Sequence, residues 1–312
     1  DQDTQVEGGQ IVKQKGKLTG ILVDNAMALV FKIIPEFSKE DKIKALLKAQ
    51  EICFENGLTT IGQGGISKKD IYLIDSLQRK DLLKLRVYAM IENDPHAIDH
   101  FIREGKLKTD LLNVRSVKVF ADGALGSRGA SLIEDYSDKN GYKSSLLIPK
   151  DSLMRLANLL AEKSFQMNTH AIGDAANRAV LEVYNQVLGF KEDPRWRIEH
   201  AQVIAAQDFP RFNTKIIPSI QPTHATSDKN MAGDRLGQER LAGAYAWRFF
   251  MDSGSRIAAG SDFPVEPANP FYGLHAAVTR EDRDDQPEGG WLPGQKLTVA
   301  CLLYTSPSPR DL

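Results

Sequence analysis

The chain has 312 residues, 40 Lys and Arg against 41 Asp and Glu, a net charge of -1 and 42% hydrophobic residues. That balance carries no basic stripe for nucleic acid, and no apolar run reaches the roughly 18 residues a membrane span needs. Two cysteines exclude a disulfide scaffold and a Cys-rich zinc module.

Chain order shows helical stretches alternating with short β-rich runs. A polar opening, residues 1–20, precedes a helical pattern over 39–57, with Ser38 and Asp41 as a capping box and Gly57 as its stop. The β-rich runs are 57–65, 84–91, 114–123, 165–174, 195–202, 215–224 and 255–264. Further helical patterns fall at 68–82, 95–105, 150–164 and 174–189, and the aromatics of 245–250 fit another packed helix. Such alternation predicts a parallel α/β fold, either a (β/α)8 barrel one strand short or an open doubly wound sheet. The ends of the runs decide for the barrel. They carry Gln63, Lys118 with Asp122, His170 with Asp174, Glu199 with His200, His224, and Asp262. A barrel gathers all its strand C-termini at one site; an open sheet focuses on one switch point.

His170, His200 and His224 close three successive β-runs, and Asp262 closes the next. Alone, each histidine fits a structural role; together, imidazoles and carboxylates suit Zn²⁺ or a similar ion. Lys118 lies between apolar neighbours at a strand end. A lysine there either snorkels to solvent or, deprotonated, takes up CO₂ as a carbamate able to bridge metal ions. His96 and His100 share an i,i+4 spacing and are assigned to an exposed helix face. Glu199 directly precedes His200, and strand alternation predicts that it points the other way. Gly62, Gly64 and Gly65 resemble a dinucleotide loop only superficially, because Ser67 stands where its third glycine belongs. Cys53 and His275 are expected on helices as structural residues.

Several long segments, SVKVFADGALGSRGASL, HAIGDAANRAVLEVY, RIEHAQVI, PSIQPTHATSD and GSRIAAGSDFPVEPANPFYGLHAAVTRED, resemble the metal-dependent amidohydrolase superfamily. The branch that includes N-substituted formamide deformylase-like hydrolases is the most similar, over about residues 8–300. The resemblance implies a (β/α)8 TIM-type barrel with a divalent metal centre, zinc with one or two ions, at its strand ends. It implies metal ligation by Lys118 (carbamylated), His170, His200 and Asp262, with Asp262 also shuttling the proton. It implies a small-molecule amide substrate, hydrolysed at a C–N bond other than a peptide bond. His224 is placed as a catalytic residue contacting the substrate or its oxyanion, and Asp122 as a substrate-orienting residue, with Arg128 holding the loop. A homo-oligomer is compatible with this reading.

One departure matters. The family's first strand carries a His-x-His pair, and none occurs in these 312 residues. The expectation is therefore an incomplete barrel, strands 2 to 8, over residues 1–300, inactive or poorly active alone. The final CLLYTSPSPRDL matches one translated frame of a transposase-type sequencing adapter, so residues 301–312 are expected to be non-native. The alternatives are an NAD-dependent oxidoreductase on an open sheet and a metal-free, non-catalytic paralogue. Bound zinc against bound dinucleotide separates the first; a first strand without His-x-His would favour the second.

Overall fold

A computed structural model describes residues 4–6 and 9–305, with the backbone alone described for 303–305. The non-native tail predicted for 301–312 lies outside the described residues from 306 onward.

The chain begins with an antiparallel hairpin, β1 (Gly9–Gln14) and β2 (Lys17–Asp24), followed by a short helix α1 (Ala28–Phe31). Then α2 (Lys39–Glu55), β3 (Thr60–Ile66), α3 (Lys68–Arg79), β4 (Arg86–Ile91) and α4 (Pro95–Glu104) alternate. The two-residue β5 (Leu107–Lys108) pairs antiparallel with β6 (Leu112–Phe120). Next come α5 (Lys150–Glu162), β7 (Gln166–Ala171), α6 (Asp174–Leu188), β8 (Trp196–His200) and β9 (Ile216–Ile220). The chain ends with α7 (Pro222–Leu241), α8 (Trp247–Asp252), β10 (Ala258–Ala259), α9 (Pro270–Thr279) and α10 (Val299–Thr305).

Seven strands form one curled parallel sheet in the order β10-β9-β8-β7-β6-β4-β3, with β3 and β10 at its edges among the described residues. This is a half-barrel of the α/β class, consistent with an incomplete TIM-type barrel. All seven β-rich runs of the sequence appear in it. They are legible because a parallel sheet is covered on both faces, so β6, β7, β8 and β9 are buried almost throughout. Helices start where the sequence supplies an acceptor: Ser38 and Ser67 take the backbone N–H of Asp41 and Asp70, and Asp94, just before Pro95, takes that of Ala97. Leu153, Leu160, Val180 and Tyr184 of α5 and α6 bury against the sheet, where Tyr184 Oη meets Thr169 Oγ1 at 2.7 Å.

Gly62, Gly64 and Gly65 lie inside β3, in keeping with the β-rich run 57–65. Gly65 has φ +101°, and a side chain there would press on Lys118 Cβ and Cγ at 3.2 Å. Its bareness makes room for the lysine. His224 does not close a strand: β9 ends at Ile220 and His224 falls in the first turn of α7. The hairpin β1–β2 and helix α7 are additions, carried by segments too polar or too irregular to show a period, whereas His275 falls on α9 as expected.

Candidate metal and catalytic site

Strand register builds the site. Phe120, His170, Glu199 and Ser219 sit side by side on β6 to β9, and Lys118, Asn168 and Arg197 form the next row. In-register side chains of parallel strands share a face, so both rows look into the concave side. Glu199 therefore points inward, against expectation: Arg197 Nε donates to its Oε1 at 2.7 Å, and its charge acts on Lys118 and Asp262. His200, its neighbour, should face outward with Ala171. It does not, because the backbone leaves the extended region at φ +72° for His200 and +42° for Ala201. That turn brings the His200 ring to 4.6 Å from the His170 ring and 5.9 Å from the His224 ring, centroid to centroid. Left-handed backbone at a non-glycine residue is strained and characteristic of functional sites.

Each histidine is prepared in a different way. Gln221 Nε2 donates to Ser219 O at 3.1 Å, which turns its Oε1 to His200 Nδ1 at 2.7 Å. His200 Nδ1 thus carries the proton, and Nε2 keeps a lone pair for an ion. His170 Nε2 is turned toward Asp122 Oδ1 at 3.7 Å and is buried without a hydrogen-bond partner. Burial holds both rings neutral, helped by each ring's charged neighbours. His200 is pushed down to about 3 and His170 well below its ordinary value. Neutral imidazole is the form that binds metal.

Burial also lowers the Lys118 ammonium, with Glu199 and Asp262 opposing. A lysine biased toward the free amine has the lone pair that carbamate formation requires. Its Nζ lies 4.9 Å from the centre of the Phe120 ring, and that ring packs against His170 at 5.3 Å. Phe120, half exposed, is a site wall that sequence reasoning missed. Asp262, at φ +56°, lies beyond β10; burial raises its carboxyl, and His224 and Lys118 pull it down.

Asp122 is placed behind His170. Its oxygens accept from the backbone N–H of Ser131 (2.9 Å), Ile172 (3.0 Å) and Gly173 (2.8 Å), and burial raises its pKa to about 7. Arg128 grips Asp138 through Nε and an Nη, at 3.0 and 2.7 Å, holding the loop as expected. His100 Nε2 meets Tyr72 Oη at 2.8 Å on the surface of α4, and Cys53 is core. His224 Nε2 is buried without a partner, while Asp228 one turn along α7 is fixed by Tyr245 Oη at 2.6 Å.

Among the described residues, three His, Asp or Glu ligand atoms come within 4.8 Å of one another at His275, Glu281 and Asp285, an outer group whose Asp285 side chain is 78% exposed. His170, His200 and Asp262 do not converge that tightly. They do offer what a metal needs: neutral rings, a free lone pair on each and a lysine able to gain carboxylate oxygens. These residues fit a divalent ion.

A family model described as amidohydrolase family matches residues 1–305. Protein LONG AFTER FAR-RED 3 of Arabidopsis thaliana is 31% identical over 317 residues, covering 95% of this chain and 53% of its own length. YtcJ of Bacillus subtilis (strain 168), named as an amidohydrolase, is 33% identical over 315 residues, covering 97% of this chain and 58% of its own. The chain thus spans little more than half of either relative. A crystal structure described as an uncharacterized metal-dependent hydrolase from Pyrococcus furiosus superposes with a TM-score of 0.74 at 28% identity, over 86% of this chain and 57% of that one. Family and neighbours together support a hydrolase and imply a divalent metal. The chain belongs to the amidohydrolase family.

Proposed function

We propose that the protein is a zinc-dependent hydrolase of amide-type C–N bonds other than peptide bonds, related to the N-substituted formamide deformylase-like branch. The observation that carries this is the left-handed turn at His200, which aims a second neutral imidazole at His170 beside Lys118. Lys118 as its carbamate, His170, His200 and Asp262 would hold one or two ions. The ion, when bound, lowers the pKa of a water and polarises the amide carbonyl.

The chain's own residues do the rest. Asp262 accepts the proton of the attacking water and passes it to the leaving nitrogen; a carboxyl raised by burial suits both halves of that task. His224 offers its unpartnered Nε2 to the oxyanion or the substrate. Asp122, with its oxygens committed to three backbone N–H groups, serves by holding the loops behind His170 in place of orienting the substrate directly. Phe120 supplies an apolar wall.

The His-x-His pair is assigned to a strand outside these 312 residues, which would close the sheet between β3 and β10 and remove both open edges. Residues 301–312 are assigned to translated adapter, which rereading the source DNA decides. Joining the upstream-encoded segment to residues 1–300 is expected to give chelator-sensitive release of amine from N-formyl and N-acyl amines. In that protein Asp262→Asn lowers kcat by about 10²–10⁴-fold. Full-rate hydrolysis by the 312 residues alone, or none by the joined protein, contradicts the proposal.

A further inference from the structure

Asp24 ends the hairpin at φ 51°, ψ -127°, a conformation an L-residue adopts rarely. Its carboxylate lies across the loop that follows β6. A Cβ built on Gly123 would fall 2.4 Å from Asp24 Oδ1 and 2.7 Å from Cγ, and one built on Gly129 would fall 2.2 Å from Asp24 Oδ2 and 2.9 Å from Cγ. Neither glycine has a left-handed φ, so the backbone there tolerates a side chain, and the nearest atoms such a side chain would meet belong to Asp24. The two glycines are tied to each other by Gly123 N–H donating to Gly129 O at 3.0 Å. The same loop carries Asp122, whose Oδ1 stands 3.7 Å from His170 Nε2, and the Gly123 backbone also borders that ring. No hydrogen bond to the Asp24 carboxylate is found among the described residues; its contacts run over the glycine α-carbons.

We propose that Asp24 is a positioning residue: seated on Gly123 and Gly129, its carboxylate locks the loop that orients His170, and so couples the β1–β2 hairpin to the metal-holding end of β7. A strained backbone supporting a half-buried carboxylate against two bare glycines has little reason to exist as surface decoration. As the seat of a loop that backs a metal-ligand histidine, it has one: outer contacts of that kind commonly set metal affinity by 10- to 100-fold. This rests on the metal-site assignment above only for its functional meaning; the coupling itself concerns the metal-free chain.

Two readouts test it. The first is Zn²⁺ affinity by competition with a chromophoric chelator. Asp24→Gly relieves the left-handed φ, so folding is kept, and it is expected to weaken Zn²⁺ binding about 10-fold or more. Asp24→Asn, which fills the same space, is expected to stay near the parent. Gly129→Ala is expected to mimic Asp24→Gly in the parent and to add little in the Asp24→Gly background, because the atoms nearest its Cβ are those of Asp24. The second is the ¹⁵N signature of His170 in the metal-free chain: one tautomer in the parent, a mixture in Asp24→Gly. Additive effects of the two substitutions, or an unchanged His170 tautomer in Asp24→Gly, overturn the proposal. Absence of Zn²⁺ binding by the parent would instead sink the metal assignment and leave the tautomer measurement to decide this one.

Discussion

At the scale of single residues, His200 is the one whose backbone turn shapes the proposed site. Its position at a strand end is legible in the sequence, as are those of His170 and Lys118, because each closes an apolar run. Its direction is not. Alternation predicts Glu199 and His200 on opposite faces, and the left-handed backbone at His200 defeats that rule by placing both inside. His224 was misplaced for a related reason. Pro222 starts a helix two residues earlier, and proline at a first helical position looks the same as proline ending a strand. Burial of the neutral His200 ring also makes a stability prediction. Its folded pKa, about 3, lies below its ordinary value of 6.5. The unfolded state therefore binds the extra proton, and the group's contribution is whole above pH 6.5 and lost as pH falls toward 3. In urea titrations of the metal-free protein, the stability advantage of the parent over His200→Asn should shrink toward acid, by up to about 1.4 kcal/mol per pH unit. An advantage that stays constant or grows on acidification contradicts a neutral buried ring.

At the scale of elements, tight backbone contacts fix the site. Gly173 stands between β7 and α6, with its N–H on Asp122, and a Cβ there would collide with the backbone of Ser131, which cannot swing aside. Gly173→Ala should cost about 1–3 kcal/mol of stability by overpacking, read from urea midpoints. A neutral substitution would mean that the loops flanking Asp122 are loosely held. The central strands β6 to β9 were legible because both faces are covered, although β9 stops at Ile220 and β10 keeps only Ala258–Ala259 of its run. The hairpin was not, because β2 is exposed over most of its length and its residues need no apolar alternation. Helix α7 was hidden by a polar composition and by a break at Gly237, where φ is 72°.

At the scale of the whole molecule, the parallel sheet brings Lys118, His170 and His200 from three consecutive strands to one rim, and α7 and the segment after β10 add His224 and Asp262. An ion held there binds the folded state and not the unfolded one. Zinc at about 100 times its Kd should stabilise the protein by about 2.7 kcal/mol, roughly 4 °C in Tm for a chain of this size. No shift in Tm would mean that the folded chain holds no ion. The most direct test of the site is bound zinc per chain by elemental analysis, in the parent and in His170→Ala, His200→Ala and His275→Ala. The predicted result is at least one ion in the parent, lost on replacing His170 or His200 and retained on replacing His275. Zinc that persists without His170 and His200, or disappears with His275, would contradict a metal centre at the strand ends.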